Sequence, residues 1–478
     1  MEYKWRQDMN IKYDTKNAQL REIDVPAPDC SGIPIFIDDE TIQYRMEKVL
    51  EEMKLVGLDA LLVYADVEHS GNFEYLVGFI PRFEEALLVL HSNGNAFLIL
   101  GNENYNKAQY SRIPAKGIHC PYFSLPNQPM EPHHTFSSVL LEAGIREAMK
   151  LGLVGWKHFT SKVEDNRGLY DIPFFIVDAV REIVGDRGYI SNRTDIFIAG
   201  NRGVRRINNA NEIAHYEFGA SLASDCILRT MNKLEVGVSE IQLGNELNAF
   251  GQRNNVVTIA STGKRFEKGN LYPTFKKVVQ GDAISLTVGY KGGLSSRAGY
   301  AVRDSSDLPE SKKHYVEDLA APYYTAIVAW LENIRIGMSG GEMYHLINGV
   351  LPREVYHWNL CPGHLTADEE WLSSPIYEYS DELIKSGMIF QTDIIPRVAG
   401  YDGVSAESTI AMANDVLKQE ISEKYPELWT RIIKRKKYIK DILGIKLSED
   451  VLPLCSTVAY LRPYLLNKKL AFYYNHSK

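Results

Sequence analysis

The residues with most chemistry to offer lie in the second half of the chain. Cys361-Pro-Gly-His364 sets a thiol three residues before an imidazole, and Asp368-Glu-Glu-Trp371 follows closely. A cysteine beside a histidine can be a nucleophile with its base. A lone cysteine before proline is more simply an inert packing residue, and that reading is preferred here. The three crowded acids Asp368, Glu369 and Glu370 either supply a general base with a raised pKa or stay solvated. Two hairpin-like stretches also carry charges at matching places. One runs through Gly289-Tyr-Lys-Gly292 to Leu294-Ser-Ser-Arg297, the other through Gly400-Tyr-Asp-Gly403 to Val404-Ser-Ala-Glu407. On that match Arg297 and Glu407 are equivalent positions. Two further motifs drop out. Thr262-Gly-Lys264 lacks the upstream glycine of a phosphate loop. The basic run Arg431–Lys440 is interleaved with Leu428, Ile432, Ile439 and Leu443, which reads as an amphipathic helix with a basic outer face.

The elements that must position these groups follow from periodicity. Ile42, Met46, Val49, Leu50 and Met53 recur at helical steps and Gly57 closes the helix. Buried strands are expected at Ala60–Ala65, Ala86–Leu90 and Ala96–Leu100, the last two joined by a turn at Ser92-Asn-Gly-Asn95. An apolar run at Leu151–Val154 and a helix at Phe174–Val184 complete an α/β region. After a basic boundary near Asn201–Arg206, a long helix covers about Ala210–Leu234. Ser239 and Gln242 then have capping-box spacing, with Val238 and Leu243 as a staple. A helix through Ala320–Ile336 is followed by the same device, with Ser339 and Glu342 as the box and Met338 and Met343 as the staple. Residues 206–415 therefore read as a duplicated unit of two helices plus a hairpin, folded over one cleft where Arg297 and Glu407 meet.

Composition narrows the class. The chain has 478 residues, 53 Lys+Arg against 61 Asp+Glu, a net charge of −8 and 45% apolar residues. That suits a soluble protein of two or three domains without a nucleic-acid surface. The five cysteines are scattered and form no disulfide framework or metal knuckle. The polar N-terminus lacks a signal-peptide pattern, and the apolar run Leu319–Leu331 contains Pro322 and is too short to span a bilayer. A cytoplasmic protein without membrane contact is expected.

The phrases Leu58-Asp-Ala-Leu-Leu-Val63 and Tyr75-Leu-Val-Gly-Phe79, with the duplicated region, resemble the pita-bread superfamily of Xaa-Pro aminopeptidases, prolidases, methionine aminopeptidases and creatinases. The resemblance implies an α/β creatinase-type N-terminal domain (36–200) after a polar lead-in (1–35). It also implies an α+β pita-bread domain (206–415), to which this chain adds a helical C-terminal extension (416–478). It implies a homodimer as well.

Active peptidases of that superfamily hold two divalent metals with two Asp, one His and two Glu, which balance the metal charge around a bridging water. Carried onto this sequence, the first Asp falls at Thr287 and the second at Arg297. His364, Asp393 and Glu407 fall at the remaining three. From Ala283 to Arg303 there is no Asp or Glu, and between Tyr216 and Lys313 no histidine, so the proton-shuttling histidine is also missing. The expectation is a metal-free cleft in which Arg297 pairs with Asp393 or Glu407, with Thr287, His364 and Glu370 alongside. The minor alternative is a single divalent metal on His364, Asp393 and Glu407. The implied function is binding, or metal-independent C–N hydrolysis, of a small peptide-like or amidine-like ligand. The alternatives are a non-catalytic interaction protein and an Xaa-Pro aminopeptidase with an atypical metal site.

Overall fold

The structure, a computed structural model, describes residues 13–130, 134–264 and 272–477. The chain forms two compact units, residues 37–206 and residues 1–36 with 207–478. The described part of the lead-in, from Tyr13, and the C-terminal extension thus belong to the body that contains the duplicated region; residues 1–12 lie outside the described residues. They meet in a two-stranded antiparallel sheet, Ala18–Glu22 (β1) against the chain's last strand, with Leu20 opposite Phe472.

In the unit 37–206, the helix Asp39–Leu55 starts at Asp38, whose carboxylate accepts the Thr41 N–H, and buries Ile42, Val49 and Met53. Its strands are Ala60–Ala65 (β2), Ala86–His91 (β3), Ala96–Leu100 (β4), Lys116–His119 (β5), Lys150–Val154 (β6) and Tyr189–Asn192 (β7). They form one sheet in the order β5-β4-β3-β2-β6-β7. β2 is parallel to β6 and antiparallel to β3, and every residue of β2 is buried. That explains a continuous apolar run without alternation. The β3–β4 turn forms where expected, with Gly94 at φ +87°.

The second unit is built on repeated helix pairs. Ala210–Lys233 is followed by Glu240–Glu246, and Ala321–Asn333 by Gly340–Val350. Both expected capping boxes are made, Ser239 with Gln242 and Ser339 with Glu342. The strands are Ile259–Thr262 (β8), Ala283–Tyr290 (β9), Gly293–Tyr300 (β10), His364–Leu365 (β11), Ile389–Gln391 (β12), Ser405–Glu407 (β13), Thr409–Met412 (β14), Val451–Pro453 (β15) and Leu470–Tyr474 (β16). Two four-stranded sheets result, β13-β10-β9-β8 and β11-β12-β14-β15. Ser408 alone separates β13 from β14, so one stretch of chain passes from the first sheet to the second.

The basic run near the C-terminus departs from expectation. The helix Pro426–Asp441 does bury Leu428, Ile432 and Ile439, but Arg435 is buried with them. Its guanidinium donates to Asp29 at 2.7 and 2.8 Å and to Glu217 at 2.7 Å, while Arg431 donates to the other Glu217 oxygen at 2.8 Å. Two of the basic residues therefore face inward, because the helix Ala210–Lys233 supplies the buried carboxylate of Glu217 there and the lead-in the partly buried one of Asp29. Removing one member leaves an uncompensated buried charge. Arg435→Met should therefore cost about 3–5 kcal/mol of stability, measured by urea unfolding. A change within experimental error would show the network to be dispensable.

Candidate functional site

Strand register builds one side of the site. The turn Lys291–Gly292, with Gly292 at φ +104°, pairs Tyr290 with Gly293 and hence Thr287 with Ser296. Ser296 in turn faces Glu407 across the β10–β13 pair. Directly opposed residues put their side chains on the same face, so Thr287, Ser296 and Glu407 form one row. The hydroxyls of Thr287 and Ser296 are 2.8 Å apart.

The other side comes from the second sheet. Gly363, at φ +111° and packed on Trp330, turns the chain into β11. His364 follows, fully buried. The chain then folds back, with Ala367 N–H donating to Glu369 O at 3.0 Å and Leu372 N–H to Leu365 O at 2.9 Å. This loop brings Glu370 and Trp371 against His364. The Trp371 ring stacks on the imidazole at 4.0 Å. Asp393 follows β12, where the Thr392 N–H donates to Ser408 O.

One imidazole and three carboxyls thus share a buried space. His364 Nε2 lies 3.0 Å from Glu370, 3.8 Å from Asp393 and 3.9 Å from Glu407. Glu370 is the nearest of the three carboxyls to the imidazole. Burial opposes an imidazolium, but Glu370 and then Asp393 outweigh it and raise the His364 pKa. Burial pushes Asp393 up to about 6, with His364 opposing and Glu370 adding. Glu407 is held well above the usual carboxylate range by burial, then by Asp393 and Glu370. Such a cluster retains protons near neutral pH or needs a cation to replace them.

Arg297 is not in this space. It sits one residue past Ser296 and so on the opposite face of β10. Its guanidinium donates to Tyr460 O, Ser296 O, Glu407 O, Ser408 Oγ and Thr457 O, at 2.6–3.0 Å. Among the described residues no carboxylate lies within ion-pair distance of it. The expected pairing with Asp393 or Glu407 is therefore corrected, since Arg297 binds the backbone carbonyl of Glu407 rather than its side chain. Ser296, the residue that stands in the row, is missed by the sequence match. The signal for it was the two-residue turn, which fixes the partner of Thr287. Asp368 points elsewhere, toward Tyr216 and Lys291. Burial raises the Cys361 thiol, which is the wrong direction for a nucleophile.

No protein-family model matches this sequence, and no curated protein matches it. Solved structures do. The prolidase from Thermococcus sibiricus superposes with a TM-score of 0.61 at 18% identity, over 80% of this chain and 95% of that one. The Xaa-Pro dipeptidase from Bacillus anthracis gives 0.57 at 16%, over 78% and 94%. The X-Pro aminopeptidase from Thermotoga maritima gives 0.57 at 15%, over 77% and 94%. The fold is the pita-bread peptidase fold.

Thr287 and Ser296 contribute neutral hydroxyls, bonded to each other, to the row that also holds Glu407. His364, Glu370 and Glu407 offer donor atoms all within 4.8 Å of one another. Glu370 comes from the loop after β11, and the minor sequence alternative had placed Asp393 in that trio.

The raised Asp393 makes a signed prediction. The unfolded chain releases this proton near 3.8 and the folded protein near 6. Between those values the native state binds more protons, so this group's stabilising contribution is present at low pH and lost as pH rises through about 6. Denaturant melts from pH 4 to 7 should show a smaller loss across that window in Asp393→Asn than in wild type. Parallel curves would refute the assignment.

Proposed function

We propose that this pita-bread protein binds a small peptide-like or amidine-like ligand in the His364 cleft and does not carry out two-metal peptidase chemistry. The observation that carries the reading is the hydroxyl pair Thr287–Ser296, in the row where paired metals need carboxylates. The cluster supports recognition of a ligand nitrogen that bears positive charge, because Glu370, Asp393 and Glu407 surround one imidazole. His364 can also hold a proton beside the ligand, stacked on Trp371 and backed by Glu370. That is the group a metal-independent C–N hydrolysis would use as its acid. A binding protein without turnover would use the same contacts.

A second reading has one observation in its favour. The fully buried, unaligned Nε2 of His364 and the donor atoms of Glu370 and Glu407 would suit one divalent cation. Such an ion would offset the carboxylate charge that protons otherwise offset.

Metal analysis after equilibration with Mn²⁺, with Xaa-Pro dipeptide assays on the same sample, separates the readings. No bound Mn²⁺ and no hydrolysis support the first, and about one equivalent supports the second. Two equivalents with hydrolysis overturn both. The double variant Thr287→Asp, Ser296→Asp restores the missing charges and should bind more Mn²⁺ than wild type; unchanged stoichiometry would show that the row is not what excludes the metals.

A further inference from the structure

Behind the cleft, the chain from Val451 to Leu466 is buried throughout. It runs along the back of β10, where Tyr300 N–H donates to Pro463 O at 3.0 Å, Leu465 N–H to Tyr300 O at 2.8 Å and Leu466 N–H to Val302 O at 3.1 Å. Ser224 of the helix Ala210–Lys233 meets Ser456 and Thr457 through their hydroxyls. Two buried arginines attach to this segment and differ in what they join. Arg462 donates to Met231 O at 2.6 Å and so ties the segment to the end of that helix. Arg297 ties it to the cleft strands. One of its nitrogens donates to both Ser296 O and Glu407 O at 2.6 Å, and another to Thr457 O at 2.6 Å and Ser408 Oγ at 3.0 Å. Its Nε donates to Tyr460 O at 2.9 Å.

The β10–β13 pair that carries Ser296 and Glu407 is only three residues long, Ser296–Ala298 against Ser405–Glu407. So short a ladder has few backbone bonds to hold its register. Side chains that bind the carbonyls of both strands make up for that, and a planar fork of five N–H donors can do so from one residue.

We propose that Arg297 is a positioning residue for the cleft. It clamps Ser296 and Glu407 to a common carbonyl-lined seat supplied by Thr457 and Tyr460, so that the C-terminal segment is a working part of the site. This goes beyond the ligand reading and holds whether or not the cleft turns a substrate over.

The test uses the full chain with histidine selectively labelled for NMR, and His364→Gln to assign the His364 signal. Hydrogen exchange is followed in parallel. Arg297→Met should move the His364 signal and speed exchange at least about tenfold in 293–300, 405–412 and 454–466 together, with helix 340–350 unchanged. Arg297→Lys, which keeps the charge and some donors, should fall between wild type and Arg297→Met. Arg462→Met loosens the same C-terminal segment from its helix and should leave His364 where it was. If Arg297→Met does not fold, Ser408→Ala removes one acceptor and should show a smaller change in the same three segments and in His364. The proposal is overturned if Arg297→Met and Arg462→Met shift His364 alike, if neither shifts it, or if only 454–466 loosens. A Ser408→Ala protein identical to wild type in all these readouts overturns it as well.

Discussion

An imidazole and three carboxyls occupy one buried space, and charge neutrality there governs what the cleft can do. With all four groups ionised the pocket would carry two uncompensated negative charges, which a low-dielectric interior does not hold. Protons on Asp393 and Glu407, a cationic group of a ligand, or a metal ion are the available remedies. Thr287 and Ser296, in the same row as Glu407, are neutral hydroxyls bonded to each other and offer no such remedy. The carboxyls are gathered around His364, and under the proposed reading a positively charged ligand group takes the place of the protons there.

The fold makes this arrangement possible by bringing two sheets to one place. The chain passes from β13 to β14 through Ser408, so Glu407 is fixed by one sheet while its neighbours belong to the other. His364 and Asp393 flank that crossing, at β11 and just after β12. The loop that returns over His364 adds Glu370 and a stacked Trp371. Each group is held by backbone pairing next to it rather than by a long flexible side chain.

Much of this was legible in the sequence. Helical periodicity and the two capping boxes gave the helix pairs, because those signals are local. His364, Asp393 and Glu407 were each named from the sequence and lie together here. Arg297 and Ser296 were exchanged, since adjacent residues on a strand face opposite ways and a match that slips by one position inverts the face. Glu370 was picked from three adjacent acids, and the fold-back of its loop is what sets it against His364. Arg435 looked like solvent-facing charge because its partners, Asp29 and Glu217, are hundreds of residues away in sequence. Long-range partners leave no local pattern.

Pairing β1 with β16 has a consequence for the time course of synthesis. Ala18–Glu22 leaves the ribosome well before its partner Leu470–Tyr474, which lies about 450 residues further along the chain. At about 5–20 residues per second, the interval is on the order of half a minute or more. Residues 37–206 can complete their own sheet meanwhile, with every strand already available. The body that holds the cleft must wait, with β1 unpaired, and the C-terminal segment behind β10 arrives at nearly the same moment as β16. The cleft therefore cannot be completed until the segment behind β10 has been made, whereas the strands of residues 37–206 are all available well before it.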